Sequence, residues 1–199
     1  MDDTTLPSET IERLEKAEQL KLDGKHEEAL KILEKLLIED PENAAALEEV
    51  ADNELSLSHF ERAEAAAKHA VAIDSGSYTG HYIIGFLQSR REEWKLAVTA
   101  LRRANTLQSN NPEILRCLGW ALFMDGQYAQ GIVTLERALN LDPDSVLILC
   151  DLGMEYLQMK NLPKARALFT RALEIEPKNH RAQECLRAVE QCERLMAVH

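Results

Sequence analysis

The sequence repeats itself every 34 residues, and this constrains the fold more than any other feature of it. Stepping by that interval gives Asn43, Ser77, Asn111, Ser145 and Asn179, all residue types that cap helix N-termini. A second column reads Ala17, Ala51, Gly85, Gly119, Gly153, and a third reads Ala29, Ala63, Ala97, Gly131, Ala165. Ala70, Ala104, Ala138 and Ala172 form a fourth, which opens with Leu36, and Pro41, Pro143 and Pro177 close their copies. A period of this length held over five copies is the mark of stacked supersecondary units. Each unit cannot bury its apolar face alone, so its neighbours must cover it.

The copy from Asn111 to Ser145 shows what one unit is. Asn111 is placed to cap a helix with Pro112 in its first turn, where the missing N–H costs nothing. Leu115, Leu118, Gly119 and Leu122 then share one face at 3.6 residues per turn. Asp125-Gly126 breaks that helix, and Ile132, Leu135, Ala138, Leu139 and Leu141 form the face of a second one, which Asp142-Pro143 ends.

These columns resemble the tetratricopeptide repeat family, whose motif carries a small residue at its eighth position, alanine at its twentieth and twenty-seventh, and proline at its thirty-second. Ser75 and Ser109 depart from the proline, Gly131 from an alanine, and Ala17 and Ala51 from the eighth-position glycine. The resemblance implies an all-α chain: a right-handed α-solenoid of five helix-turn-helix repeats plus a C-terminal capping helix. The expected bounds are repeats at 9–43, 44–77, 78–111, 112–145 and 146–179, after a disordered tail at 1–8 and before a capping helix at 180–199. Phe60, Trp94 and Tyr128 share one slot, which His26 and Leu162 fill in the other copies, and their expected role is packing between helices.

Charge is uneven. The net charge is −11, yet residues 1–77 hold 20 Asp/Glu against 8 Lys/Arg, a net of −12, and residues 78–199 hold 14 against 15. An acidic surface repels phosphate backbones and anionic membranes, so neither nucleic-acid binding nor membrane insertion is expected. No apolar run approaches the roughly 20 residues that span a bilayer. The acidic start Met1-Asp2-Asp3 is unlike a secretory signal. Cys117, Cys150, Cys185 and Cys192 show no disulfide or metal spacing. The expectation is a cytoplasmic protein with free thiols, no metal and no cofactor.

The sequence contains no nucleophile elbow, phosphate loop or zinc-binding helix, so it is not expected to be an enzyme and has no catalytic candidates. In the family it resembles, the first helices of successive repeats line a concave groove that holds peptides. Carried onto this chain, the groove positions are acidic at one end, with Glu15, Glu18, Glu48, Glu49 and Asp52. At the other end they are apolar and aromatic, with Tyr82, Phe86, Arg116, Trp120, Phe123, Met124, Met154 and Leu157. Clustered exposed apolar side chains mark binding surfaces, and Trp, Tyr and Met supply anchors. The expected partner is a protein or peptide segment with apolar and basic residues. The carboxylate clamp that some members use for acidic chaperone tails is not expected, because its positions carry Leu14, Glu18, Glu49, Thr79 and Ile83. Two alternatives to an adaptor remain: a holding chaperone for an apolar client segment such as a secretion substrate, and a scaffold that self-associates.

Overall fold

The computed structural model describes residues 5–197, and among them every regular element is a helix. The helices are α1 (Thr5–Leu22), α2 (His26–Glu39), α3 (Ala44–Ser56), α4 (Phe60–Ile73), α5 (Tyr78–Arg90), α6 (Trp94–Leu107), α7 (Pro112–Met124), α8 (Tyr128–Leu141), α9 (Val146–Gln158), α10 (Leu162–Ile175) and α11 (His180–Ala197). They form two compact units, Met1–Gln108 and Ser109–His199. The first holds α1 to α6 as three helix pairs. The second holds α7 to α10 as two pairs, followed by α11.

The expected tail does not extend to residue 8, because α1 starts at Thr5. Pro7 lies in its first turn, where the backbone N–H groups have no helical acceptor in any case. Residues 1–4, also assigned to that tail, lie outside the described residues.

The capping column works as its residue types imply in four of five positions. Asn43, Ser77, Asn111 and Asn179 accept bonds from Ala46, Gly80, Glu113 and Ile114, and Ala182 backbone N–H groups, respectively. Ser145 makes no such bond. The turn inside every pair places one residue in the left-handed region: Gly24, Ser58, Glu92, Gly126 and Lys160, with φ between 58° and 86°. Glycine takes this conformation without strain, whereas the other three strain against their Cβ atoms.

The small-residue column lets paired helices approach closely. A Cβ at Gly153 would fall 2.6 Å from a ring carbon of Phe169, and one at Gly131 would fall 2.8 Å from Phe123 Cβ and 2.9 Å from the Gly119 carbonyl. The alanine-to-glycine departure at position 131 therefore has a packing cause. In the first unit the equivalent of the Gly153–Phe169 contact is Ala51 with Ala67, both fully buried.

Inside the second unit, α11 packs on α9 and α10. Val189 is buried, and Cys185, Leu186 and Cys192 lie against a cluster that includes Leu152, Tyr156 and Phe169. Arg166 on α10 bonds Glu193 on α11 through Nε at 3.1 Å, with a second, shorter contact through Nη2.

Candidate functional site: the first-helix faces

In the first unit, the five expected acidic groove residues separate into two kinds. Lys21 on α1 reaches across to α3 and places its Nζ 2.9 Å from Glu49 Oε2 and 2.9 Å from Asp52 Oδ2. Burial works against the ammonium, but the bonds to the two carboxylates prevail and hold its pKa above the ordinary value. Glu48 is half-buried; desolvation pushes its pKa up against the bond from Ser77. Only Glu15 and Glu18 are exposed. The acidic end is therefore weaker than a count of carboxylates implies, because a lysine bonded to two of them offsets one of their charges.

Tyr82 and Phe86 lie one turn apart on α5, with ring centroids 6.3 Å apart, and both pack partly against the cluster around Ile83 and Leu87. Further along, the Arg90 guanidinium lies 4.1 Å above the Phe60 ring. That contact gives the Phe60 slot a polar partner that sequence reading did not anticipate.

In the second unit, Arg116, Trp120, Met154 and Leu157 are half-exposed and Met124 is exposed. Phe123 is not available: it is 1% exposed, with Tyr128 against it edge-on at 4.9 Å. It lies one position from Met124, and that 100° step around the helix turns it into the core. Met154 and Leu157 pack partly on the α9–α11 cluster, and the Cys185 thiol lies 3.3 Å from the Met154 sulfur. The exposed apolar contribution thus comes mainly from Trp120, Met124 and Leu147, the last of which is 53% exposed.

Beside these residues runs a chain of charges, of which Arg116 is among the expected groove residues and the others, Asp151, Arg181 and Glu113, are not. Asp151 on α9 is buried, and its two oxygens take separate arginines, Arg116 Nη1 of α7 at 2.7 Å and Arg181 Nη2 of α11 at 2.6 Å. Glu113 holds the other side of Arg116 with bonds of 2.8 Å and 2.6 Å. Desolvation opposes the Arg116 charge, yet these acids keep its pKa far above the usual value. The clasp joins three helices and fixes the orientation of the arginine that lies among the exposed apolar side chains. A signal for it was present in the sequence: Asp151 and Glu155 are the only charged residues in the otherwise apolar run from Val146 to Leu157.

Glu155, one turn beyond Asp151, is fully buried and neither of its oxygens has a hydrogen-bond partner. Burial, helped by the neighbouring Asp151 charge, pushes its pKa up to about 9, so the carboxyl is neutral at pH 7. The two buried thiols are equally unreactive, since burial raises Cys117 to about 12 and Cys150 to about 11. Among the described residues no group of three His, Cys, Asp or Glu is placed to hold a metal, and no helix is long and apolar enough to cross a membrane.

On its outer side the second unit has a cleft of about 370 Å³ lined by Leu139, Leu152, Ala167 and Leu168. Its polar end is satisfied internally, because the Tyr156 hydroxyl donates to Glu136 at 2.5 Å and accepts from Lys164 at 2.9 Å.

Two tetratricopeptide repeat profiles match the sequence, one over residues 23–78 and the other over 122–189. The chain belongs to the tetratricopeptide repeat family. Among curated proteins it is 24% identical over 157 residues to BBSome complex member BBS4 of Bos taurus, across 79% of this chain but only 30% of the length of that protein. Among solved structures it is similar to TTC0263, a thermophilic repeat protein of Thermus thermophilus, with a TM-score of 0.70 and 22% identity over 92% of this chain and 99% of that one. It is also similar to YrrB, described as a repeat protein with an unusual peptide-binding site, with a TM-score of 0.67 and 22% identity over 88% and 90% of the two chains. At these identities the likeness establishes the fold. The family's general role is protein–protein interaction, and that coarse function applies here.

Proposed function

We infer that the chain is a non-enzymatic adaptor whose first-helix faces hold a segment of a partner protein. The observation that carries this is the second-unit face, where Trp120, Met124 and Leu147 reach solvent beside an arginine locked by Glu113 and Asp151. A helix surface has no structural need for these apolar side chains together, and a pre-oriented arginine next to an aromatic anchor is the composition of an interaction hot spot. The partner segment carries apolar anchors for this face. In the first unit Glu15 and Glu18, the two exposed acids among the five expected ones, supply long-range attraction for a basic partner.

The test begins with a photo-crosslinking residue at position 124 in the native host, which identifies the bound segment. That segment, made as a synthetic peptide, is then titrated against the whole chain. Trp120→Ala is expected to cost about 2 kcal/mol or more of binding, close to a thirtyfold loss. Glu15→Gln and Glu18→Gln are expected to change association rate and salt dependence instead. Peptide affinity unmoved by Trp120→Ala would mean that another surface does the binding.

A further inference from the structure

The side of the first unit formed by its second helices carries a groove whose charge is not balanced from within. It lies between α4 and α6 and is closed below by α5, has a volume of about 520 Å³, and is lined by no acidic residue. Val71, Leu96 and Ala100 make its apolar part, and Leu96 is 55% exposed. At one end Arg103 Nη2 donates to the Ser75 carbonyl at 3.2 Å, and His81 Nε2 lies 3.3 Å from the same oxygen. A neutral carbonyl fixes this exposed guanidinium without offsetting its charge. Gln88 also lines the groove, and its buried Oε1 has no hydrogen-bond partner among the described residues.

The equivalent cleft of the second unit, two periods on, shows what this groove lacks. Arg171 stands there in the slot of Arg103 and is held by Asp144 at 2.8 Å and Glu174 at 3.7 Å. In the first unit the slots of those two acids are filled by Gly76 and Thr106. Tyr156 stands in the slot of Gln88, and its hydroxyl is satisfied by Glu136 and Lys164. The first unit thus has the cation without its carboxylates and the buried acceptor without its donor. Nearby acids are engaged elsewhere: Asp74 accepts from the Gly76 N–H at 2.7 Å, and Glu64 holds both Arg91 and Lys68. Helices α5 and α6 together hold four Lys/Arg and no Asp or Glu, in a chain with 34 Asp/Glu.

We propose that this groove docks an extended segment of a partner protein in which an apolar residue and an Asp or Glu stand three positions apart. The apolar side chain lies against Leu96 and Val71, and the carboxylate takes a charge-assisted bond from Arg103. Leu96 and Arg103 are seven residues apart on α6, a rise of about 10 Å, which three residues of extended chain match at about 3.3 Å each. An extended segment also has backbone N–H groups to offer Gln88, whereas those of a helix interior are already used. The groove is separate from the Trp120 face, and the proposal does not depend on the reading of that face.

The test is selection of random peptides displayed on phage against the whole 199-residue chain. Peptides with an apolar residue three positions from an Asp or Glu are expected to be enriched, and one of them, synthesised with a fluorophore, is titrated by anisotropy. Arg103→Glu is expected to weaken its binding at least about tenfold, and replacing the acid of the peptide with Lys should restore binding to that variant. Leu96→Ser is expected to cost roughly tenfold through the lost apolar contact. Circular dichroism of each variant confirms that the helices are intact. Trp120→Ala should leave this affinity unchanged, which separates failure here from failure of the Trp120 face. A selection that enriches no such peptide overturns the proposal, and so does binding that survives Arg103→Glu or Leu96→Ser. Self-association of the chain that Arg103→Glu abolishes would put a second copy in the groove and overturn it as well.

Discussion

The two units solve the same packing problem with different materials. In the first, the second repeat closes Ala51 on Ala67, and the fully buried Glu54 has ion-pair partners, Arg62 and His59, each at 2.7 Å. In the second, Gly153 admits the whole ring of Phe169, and Glu155 is buried with no partner. The difference can be followed along a single slot. Glu155 stands three periods after Asn53, whose Oδ1 lies 3.0 Å from His26 Nδ1 and whose amide donates to the Glu49 carbonyl at 2.8 Å. The slot of His26 is filled by Tyr128 three periods on, and Tyr128 turns its ring onto Phe123 instead. One helix scaffold therefore tolerates either a small, satisfied interface or a large apolar one that strands a carboxyl.

The most direct way to break this comparison is to remove the ring. Phe169→Ala is expected to destabilise by about 3–5 kcal/mol, since a fully buried aromatic leaves a cavity that a glycine opposite it cannot fill. Leu33→Ala, four periods earlier in the same slot, faces Ala17 and should cost less, about 2–4 kcal/mol. Urea melts of the two variants check the order. Equal losses would mean that side-chain volume is not what separates the two cores.

Next in size is the clasp. Asp151→Asn leaves Arg116 and Arg181 facing an amide and is expected to cost about 3 kcal/mol, because breaking a buried pair strands the remaining charge. The proximity of the two arginines should also loosen α11, which hydrogen exchange in residues 180–197 would report. If α11 amides exchanged no faster in the variant, the clasp would be an ornament of the face and not a tie between helices.

The repeat columns make the fold readable because each reports a backbone constraint: a cap, a close approach, a helix stop. The site is less readable because its residues are those the columns leave free, and their roles depend on neighbours 28 to 35 residues away. Lys21 on α1 bonds both Glu49 and Asp52 on α3, and no local pattern announces that reach. Position number alone puts Phe123 in the groove, yet the adjoining Met124 is the one that reaches solvent. Asp151 and Glu155 are visible as acids in an apolar helix, and their burial is the part that needs three dimensions.

Glu155 should act against stability at neutral pH. Its carboxyl titrates at about 9 in the folded chain, against about 4.3 when unfolded. The folded state thus keeps a proton that the unfolded chain releases. Stability from this group is greatest below about pH 4, declines as pH rises, and has been lost once pH passes about 9. Glu155→Gln keeps the shape without the titration and is expected to stabilise by roughly 2–3 kcal/mol at pH 7 while flattening the profile above pH 5. A variant no more stable than the parent at pH 7 would show that the carboxyl gains a partner in solution.

The smallest effect has the opposite sign and belongs to the first unit. Glu64 on α4 accepts from Arg91 at 3.0 Å and pairs with Lys68 at 2.8 Å, and the Arg91 bond, more than the Lys68 one, holds its pKa down at about 2. The folded state here gives up a proton that the unfolded chain retains, so the stabilisation is complete above about pH 4.5 and is lost as pH falls through about 2. Both cations are well exposed, which limits the pair to roughly 0.5–1 kcal/mol. Glu64→Gln should therefore lower stability slightly at pH 7 and make no difference at pH 2, whereas Glu155→Gln raises stability at pH 7 and is neutral at pH 4. Thermal melts of both variants across pH 2 to 9 would place the two glutamates on opposite sides of the parent curve. If both curves fell on the same side, pairing in one unit and isolation in the other would not be what distinguishes these carboxylates.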